Sequence, residues 1–296
     1  MTRAAETKTD GSPSAAAEPH RAGGTGANDT GIRAVKAERI ARILLPAAIL
    51  AAAVAAWDLV VRLNHIPPYI LPGPGLVLTT LVRDWPLLSA SLLVTLAITF
   101  AALGAAVVLG VGLALLFAQS KWIEIGFFPF AVILQVTPIV AIAPLILIYV
   151  DWIPLALLIC AWIVAFFPIL ANTTLGLNSA DANLVDLFRL YGATRWQVLW
   201  HLRLPTAMPY FLGGLRIAGG LALIGAIVAE FAAGTGGKAS GLAYRILESG
   251  YRLNIPRMFA ALLLISVTGI LIFLGLSLLS HLLLRRWHES AVKREL

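Results

Sequence analysis

The sequence predicts an all-α, polytopic membrane protein with about six transmembrane helices. Hydrophobic residues make up 59% of the chain and charged residues only 12%, with a mean hydropathy of +0.88. A helix needs about 20 mostly apolar residues to cross the hydrocarbon core of a bilayer. Six stretches satisfy this requirement: residues 41–63, 88–118, 126–150, 153–173, 207–231 and 258–284.

The sequence predicts that the chain is divided into three regions. Residues 1–40 are rich in Ala, Gly, Thr and charge and have no apolar core, which is typical of a disordered tail and not of a cleavable signal. Residues 41–287 form the transmembrane domain, which includes a polar loop at 178–206 that is expected to be cytoplasmic, and 288–296 form a short C-terminal tail. The single cysteine, Cys160, lies inside a span, so no intrachain disulfide can form.

Lys and Arg are more frequent in the segments on one side of the predicted spans. An even number of spans returns both termini to one side, and the positive-inside rule makes that side the cytoplasm. We therefore expect a multi-pass membrane protein with cytoplasmic termini. The net charge of +7 is explained by these flanking residues and not by nucleic-acid binding.

The outer segment 232–257 stays basic and is not explained by orientation. It is either a solvated loop, or a face that docks an external partner or attracts an anion.

The polar segment 181–205 lies between two apolar spans and predicts a helical hairpin. Residues 182–191 place apolar side chains on one helical face, Asp181 is positioned to cap the start, and Gly192 to end the helix. Thr194 and Gln197 then have the spacing of a capping box at the start of a second helix. Pro205 predicts that this second helix stops near Arg203.

This segment resembles the loop of binding-protein-dependent ABC importer permeases, in which Glu-Ala-Ala is followed after three residues by Gly, and after nine more by Ile-x-Leu-Pro. Gly192 is followed at that spacing by Leu202, Arg203, Leu204 and Pro205. At the front, 186–188 read Asp-Leu-Phe in place of Glu-Ala-Ala. The resemblance continues in 166–172 and 204–230, covers nearly everything after residue 41, and looks closest to the sulfonate, taurine and nitrate branch.

The resemblance implies a type I ABC importer permease of the bacterial inner membrane that catalyses no reaction itself. Its expected partners are a second copy of the chain, two cytoplasmic ABC ATPases, an extracytoplasmic solute-binding protein and membrane lipid. No cofactor is expected on this chain, because ATP and magnesium would bind the ATPase. The expected ATPase-coupling residues are Asp186, Leu187, Phe188, Gly192, Ala193, Thr194, Arg195, Gln197, Leu204 and Pro205.

Polar residues inside the spans are candidates for a translocation path. Pro138 and Pro144 each remove a backbone donor from the third span and predict a kink, which either improves packing or exposes Gln135 and Thr137 to a pore. The resemblance favours the second reading. The full set of candidate path residues is Gln135, Thr137, Pro138, Asn172 and Glu230.

The fifth span has charges near both ends and small residues between them. Arg216 is expected to reach the interface or a structural partner, whereas Glu230 lies at the outer mouth of the expected path. The small residues between them predict close packing with neighbouring helices, and part of this face is expected to meet the second subunit.

Two other function classes fit less well. An intramembrane enzyme would need a nucleophile and base or a metal site, and an ion-coupled carrier would show ionisable groups at mid-membrane. The expected substrate is a small anion, such as a sulfonate, taurine or nitrate, because the outer segment is basic. The alternative is a neutral heterocycle or vitamin precursor.

Overall fold

The protein was examined as a computed structural model, which describes the backbone of residues 26–234 and 240–285 and the side chains from residue 44. The chain divides into two units, Met1–Trp57 and Asp58–Leu296, and the sites discussed below all lie in the second. The regular structure of the described residues is helical: α1 (Gly26–Leu63), α2 (Pro74–Arg83), α3 (Trp85–Gln119), α4 (Lys121–Val136), α5 (Ile139–Tyr149), α6 (Ile153–Asn178), α7 (Ala182–Leu190), α8 (Arg195–Val198), a π-helical turn (Leu199–Arg203), α9 (Leu204–Ala233), α10 (Leu242–Tyr251) and α11 (Ile255–Leu284).

The membrane-spanning helices agree with the predicted number once one broken span is counted. Among the described residues, five helices are long and apolar enough to cross a membrane, and the bent pair α4 and α5 brings the number to six if it crosses as one span. The predicted third span, 126–150, is not one continuous helix, because α4 and α5 meet at an angle of 100°. Pro138 has no backbone N–H, and Thr137 Oγ1 bonds the carbonyl of Ile133 at 2.6 Å. The predicted kink is therefore confirmed in a sharper form.

The N-terminal part of the chain differs from the prediction. Helix α1 begins at Gly26, within the region expected to be a disordered tail. Residues 26–40 contain many Ala, Arg, Lys and Glu residues, which favour helix, and they continue directly into the first span. The rest of that tail and the C-terminal tail, 288–296, lie outside the described residues.

Helices α3, α6 and α9 form the centre of the bundle. Small residues let α6 and α9 approach closely: a Cβ added at Gly225 would lie 2.8 Å from the Ala161 Cα, and one at Gly214 would lie 2.7 Å from the Pro168 carbonyl oxygen. A side chain at either position would force the helices apart. The predicted packing role of the small-residue face is confirmed at these two positions.

Two short helices lie outside the six predicted spans. Helix α2 precedes α3, and α10 lies between α9 and α11. Leu242, Ala243 and Ser249 of α10 are buried. Each short helix packs against α11, so the outer segments are part of the folded bundle.

Candidate functional site

The first half of the predicted hairpin is helix α7, which has the expected ends. Asp181 Oδ1 accepts a hydrogen bond from the amide of Asn183 at 2.9 Å, so the predicted cap is confirmed. The chain then turns at Gly192, whose φ is +72°. Residues with a Cβ rarely adopt this left-handed conformation, which explains the glycine.

The second half begins with the predicted capping box. The Thr194 amide donates to Gln197 Oε1 at 2.7 Å, and the Gln197 amide donates to Thr194 Oγ1 at 3.3 Å. Two backbone donors at the start of α8 are thereby satisfied, and the prediction is confirmed.

The predicted helix stop at Pro205 is wrong. Arg203 and Leu204 have right-handed helical dihedral angles, and the Leu204 amide bonds the carbonyl of Leu199, five residues earlier. In a regular α-helix the proline ring would clash with the carbonyl of His201, and the wider π-helical turn relieves that clash. Helix α8 therefore continues into α9, and Arg195–Ala233 is one helical segment of 39 residues.

Arg203 fixes the base of the hairpin to a different helix. Its Nη1 donates to the carbonyl of Ala118 at 3.2 Å. Ala118 lies in the last turn of α3, where carbonyls have no partner within the helix and the helix dipole favours a cation. The contact joins positions 85 apart in the sequence, so local pattern could not indicate it.

The hairpin has an apolar groove on one face. The groove has a volume of about 440 Å³ and is lined by Leu187, Phe188, Tyr191, Gly192, Ala193, Gln197 and His201. Leu187 is 45% exposed and Tyr191 is 85% exposed. Exposed apolar groups around a concave surface are typical of a protein interface.

The remaining coupling candidates lie around this groove or at the base of the hairpin. Asp186 is exposed and bonds Arg189 at 3.1 Å. Arg195 and Ala193 line a second cavity on the hairpin. Leu204 and Pro205 lie in the first turn of α9 and are half-buried. The structure thus brings five of the ten candidates together in the groove, namely Leu187, Phe188, Gly192, Ala193 and Gln197.

The candidate path residues lie in three places. Gln135, Thr137 and Pro138 are at the break between α4 and α5, where Gln135 and Pro138 are exposed. Asn172 lies between α6 and α9: its Nδ2 donates to the Pro168 carbonyl at 2.8 Å.

Glu230 is 2% exposed and connects three helices. Its Oε1 accepts from Thr95 Oγ1 at 2.8 Å, and its Oε2 accepts from the Ala243 amide at 2.9 Å. Thr95 Oγ1 in turn accepts from the Leu242 amide at 2.9 Å. The Gly241 Cα lies directly against the carboxylate, which leaves no room for a side chain there. Glu230 and Thr95 therefore hold the start of α10 against α9 and α3.

Arg245, Arg252 and Arg257 of the outer segment have carboxylate partners. Arg245 bonds Glu248 at 2.8 Å, and Arg252 bonds the same carboxylate at 3.0 Å. Arg257 bonds Asp84 at 2.6 Å. Burial alone would raise the pKa of Asp84, but hydrogen bonds from Arg257 and Arg83 outweigh that effect and place the pKa below its usual value.

Arg216 also has a contact within the bundle. Its Nη2 donates to Ser280 Oγ of α11 at 3.1 Å. This agrees with the structural role that the sequence favoured for it.

Comparison with known proteins identifies the family. The profile of the binding-protein-dependent transport system inner membrane component matches residues 106–289. The chain is 34% identical to the formylaminopyrimidine transport permease protein ThiX of Halalkalibacterium halodurans, over 77% of this chain and 90% of that protein. It is 34% identical to the riboflavin transport system permease protein RibX of Chloroflexus aurantiacus, over 79% of this chain and 86% of that protein. It is 30% identical to the putative aliphatic sulfonates transport permease protein SsuC of Bacillus subtilis, over 84% of this chain and 87% of that protein.

The fold agrees with that of a solved transporter. A crystal structure of an amino acid ABC transporter with histidines superposes with a TM-score of 0.56 at 20% identity, covering 70% of this chain and 97% of that one. The chain therefore belongs to the family of binding-protein-dependent transport system inner membrane components, the permease subunits of ABC importers.

Proposed function

We propose that the hairpin 181–205 docks on a cytoplasmic ABC ATPase and transmits its movement to the membrane-spanning helices. The observation that supports this most directly is the continuous helix from Arg195 to Ala233, which joins the hairpin to a span without a flexible break. The apolar groove supplies the contact surface, with Asp186 beside it. ATP-driven closure of two ATPases would draw two hairpins together and open the path outward.

The contacts at the base of the hairpin support this proposal, because they connect the hairpin to two membrane-spanning helices. The capping box fixes the start of α8, and the Arg203 bond to Ala118 links the hairpin to α3 as well as α9. A displacement of the hairpin therefore acts on two spans at once. A flexible connection would absorb the displacement before it reached either.

Replacing Gly192 tests this proposal. Valine cannot adopt a φ of +72° without strain, so Gly192→Val is expected to distort the turn and abolish ATP-coupled uptake in vesicles, while membrane insertion is retained. Gly75→Ala is the control, because a Cβ at that position meets nothing within 4 Å. Normal transport by Gly192→Val would contradict the proposal.

The subunit is proposed to act as a homodimer with cytoplasmic termini. Gly213 and Gly220 lie seven residues apart on α9, and a Cβ at either position meets nothing within 4 Å, so this strip is open for a second copy. Gly220→Trp is expected to reduce the dimer fraction measured by native mass spectrometry, and an unchanged fraction would place the interface elsewhere.

The translocation path is proposed to follow the break between α4 and α5. Gln135 is exposed there and offers an amide, whereas Asn172 and Glu230 hydrogen-bond to the bundle itself. We therefore assign the path to Gln135, Thr137 and Pro138, and a positioning role to Asn172 and Glu230. Gln135→Leu should change the uptake KM without changing the stability of the fold.

The substrate is proposed to be a neutral heterocycle. The sequence favoured an anion because the outer segment is basic, but Arg245, Arg252 and Arg257 of that segment are paired with carboxylates. Two relatives at 34% identity are named for formylaminopyrimidine and riboflavin. A thermal-shift screen of the partner binding protein against pyrimidines, flavins, sulfonates and nitrate tests this. Stabilisation by a sulfonate or nitrate alone would favour the anion.

A further inference from the structure

A second cavity lies on the hairpin and shares Ala193 with the apolar groove. This basic cavity has a volume of about 440 Å³ and lies between the end of α3, the start of α4 and the hairpin. Its polar and basic lining residues are Gln119, Ser120, Lys121, Arg189, Arg195 and Arg203. Four cationic side chains, those of Lys121, Arg189, Arg195 and Arg203, thus line one cavity.

Two of these four charges have no carboxylate to balance them. Lys121 pairs with Glu124 at 2.9 Å, and Arg189 pairs with Asp186 at 3.1 Å. Arg203 bonds only the neutral Ala118 carbonyl, and Arg195 makes no hydrogen bond or ion pair with the described residues. Arg195 is exposed, whereas Arg203 is half-buried. A half-buried guanidinium whose partner is a neutral carbonyl favours a nearby anion, so the cavity is suited to one.

The chemistry and position of the cavity indicate which anion. Guanidinium groups bind phosphate oxygens through paired N–H donors. Helix α3 ends at Gln119 and α4 begins at Lys121, so the cavity lies where two membrane-spanning segments reach the water interface. Trp122 beside it is 83% exposed, and tryptophan is enriched at the level of lipid headgroups. Basic pockets between transmembrane helices bind acidic lipid headgroups.

We propose that the basic cavity binds the phosphate of an acidic phospholipid, with Arg195 and Arg203 as its principal ligands. The lipid would connect the end of α3 and the start of α4 to the hairpin. The basic cavity adjoins the apolar groove at Ala193, which lines both, and Arg195 is also one of the expected coupling residues. The cavity does not include the residues proposed for the substrate path.

Native mass spectrometry of the full-length chain, titrated with phosphatidylglycerol or cardiolipin, tests the proposal. Each surface Arg contributes about 1 kcal/mol to binding an anionic lipid, so Arg195→Gln is expected to weaken the apparent affinity by about fivefold. Arg203→Gln should have a similar effect and Arg203→Lys a smaller one. The matched control is Arg252→Gln, because Arg252 is 69% exposed and pairs with Glu248 in another part of the chain.

Three outcomes would overturn the proposal. Equal lipid affinity of Arg195→Gln and the control would show that the cavity is not the site; Arg195→Gln leaves the Arg203 bond to Ala118 intact, so misfolding would not explain a loss of affinity. Displacement of the lipid by millimolar inorganic phosphate would identify free phosphate as the ligand. Displacement by the purified ATPase would identify a carboxylate of that subunit as the counter-ion.

Discussion

Replacing Thr95 by valine removes the hydroxyl that connects Glu230 to the start of α10. The change is nearly isosteric, and Thr95 is 0% exposed. Two hydrogen bonds between separate elements are lost, one to Glu230 Oε1 and one from the Leu242 amide. Thr99 provides a matched control, since it lies one turn along α3, is also 0% exposed, and its hydroxyl bonds only the Thr95 carbonyl of its own helix.

The expected loss of stability follows from these contacts. A buried amide without an acceptor costs about 1–3 kcal/mol, and the hydrogen bond to the Glu230 carboxyl group contributes about 0.5–1.5 kcal/mol. Thr95→Val should therefore destabilise the fold by about 1.5–4.5 kcal/mol. Thr99→Val should cost under about 1 kcal/mol, because the Thr95 carbonyl keeps its backbone hydrogen bond.

The chain offers a direct readout of unfolding. Cys160 is its single cysteine and is 0% exposed, so a thiol-reactive fluorophore reports when the core opens. For a domain of this size the predicted loss corresponds to a decrease in apparent Tm of roughly 3–18 °C, compared at one scan rate. Equal decreases for Thr95→Val and Thr99→Val would refute the role assigned to the Glu230 network.

Two further predictions concern the outer end of the bundle. Gly241→Ala should be destabilising in the same thiol assay, because its Cβ would clash with the Glu230 carboxylate, whereas Gly250→Ala should be near neutral, since its closest neighbour is 3.8 Å away; equal effects would contradict the packing. Arg257→Gln should lower stability by about 1–3 kcal/mol at pH 7, by removing the partner of Asp84. Because the pKa of Asp84 is lowered below 3.8, this difference should persist down to pH 5 and vanish only as the pH falls through the lowered pKa; a loss between pH 5 and 7 would contradict it.

The hairpin was predictable from sequence where its structure depends on neighbouring residues. The Asp181 cap, the Gly192 turn and the capping box of Thr194 and Gln197 each involve groups within three residues of one another. Their geometry is set by local sterics and by backbone donors that must be satisfied. The apolar spans were predictable for a related reason, because length and hydropathy suffice.

The sequence was misleading where a local rule had more than one structural solution. Pro205 can end a helix or be accommodated by a π-helical turn, and the chain adopts the second solution. Proline in the third span predicted a kink but not its angle of 100°. The partners of Glu230 were beyond prediction, since Thr95 lies 135 positions away.

Crosslinking from the apolar groove is the most direct test of the proposed coupling. A photoreactive benzophenone side chain would replace Leu187, which is 45% exposed in the groove, or Tyr149, which is 82% exposed at the end of α5. In inner-membrane vesicles with the complete transporter, we predict an adduct with the ATPase from position 187 and none from position 149. An adduct of position 187 with the solute-binding protein, or no adduct with the ATPase, would contradict the proposed role of the hairpin.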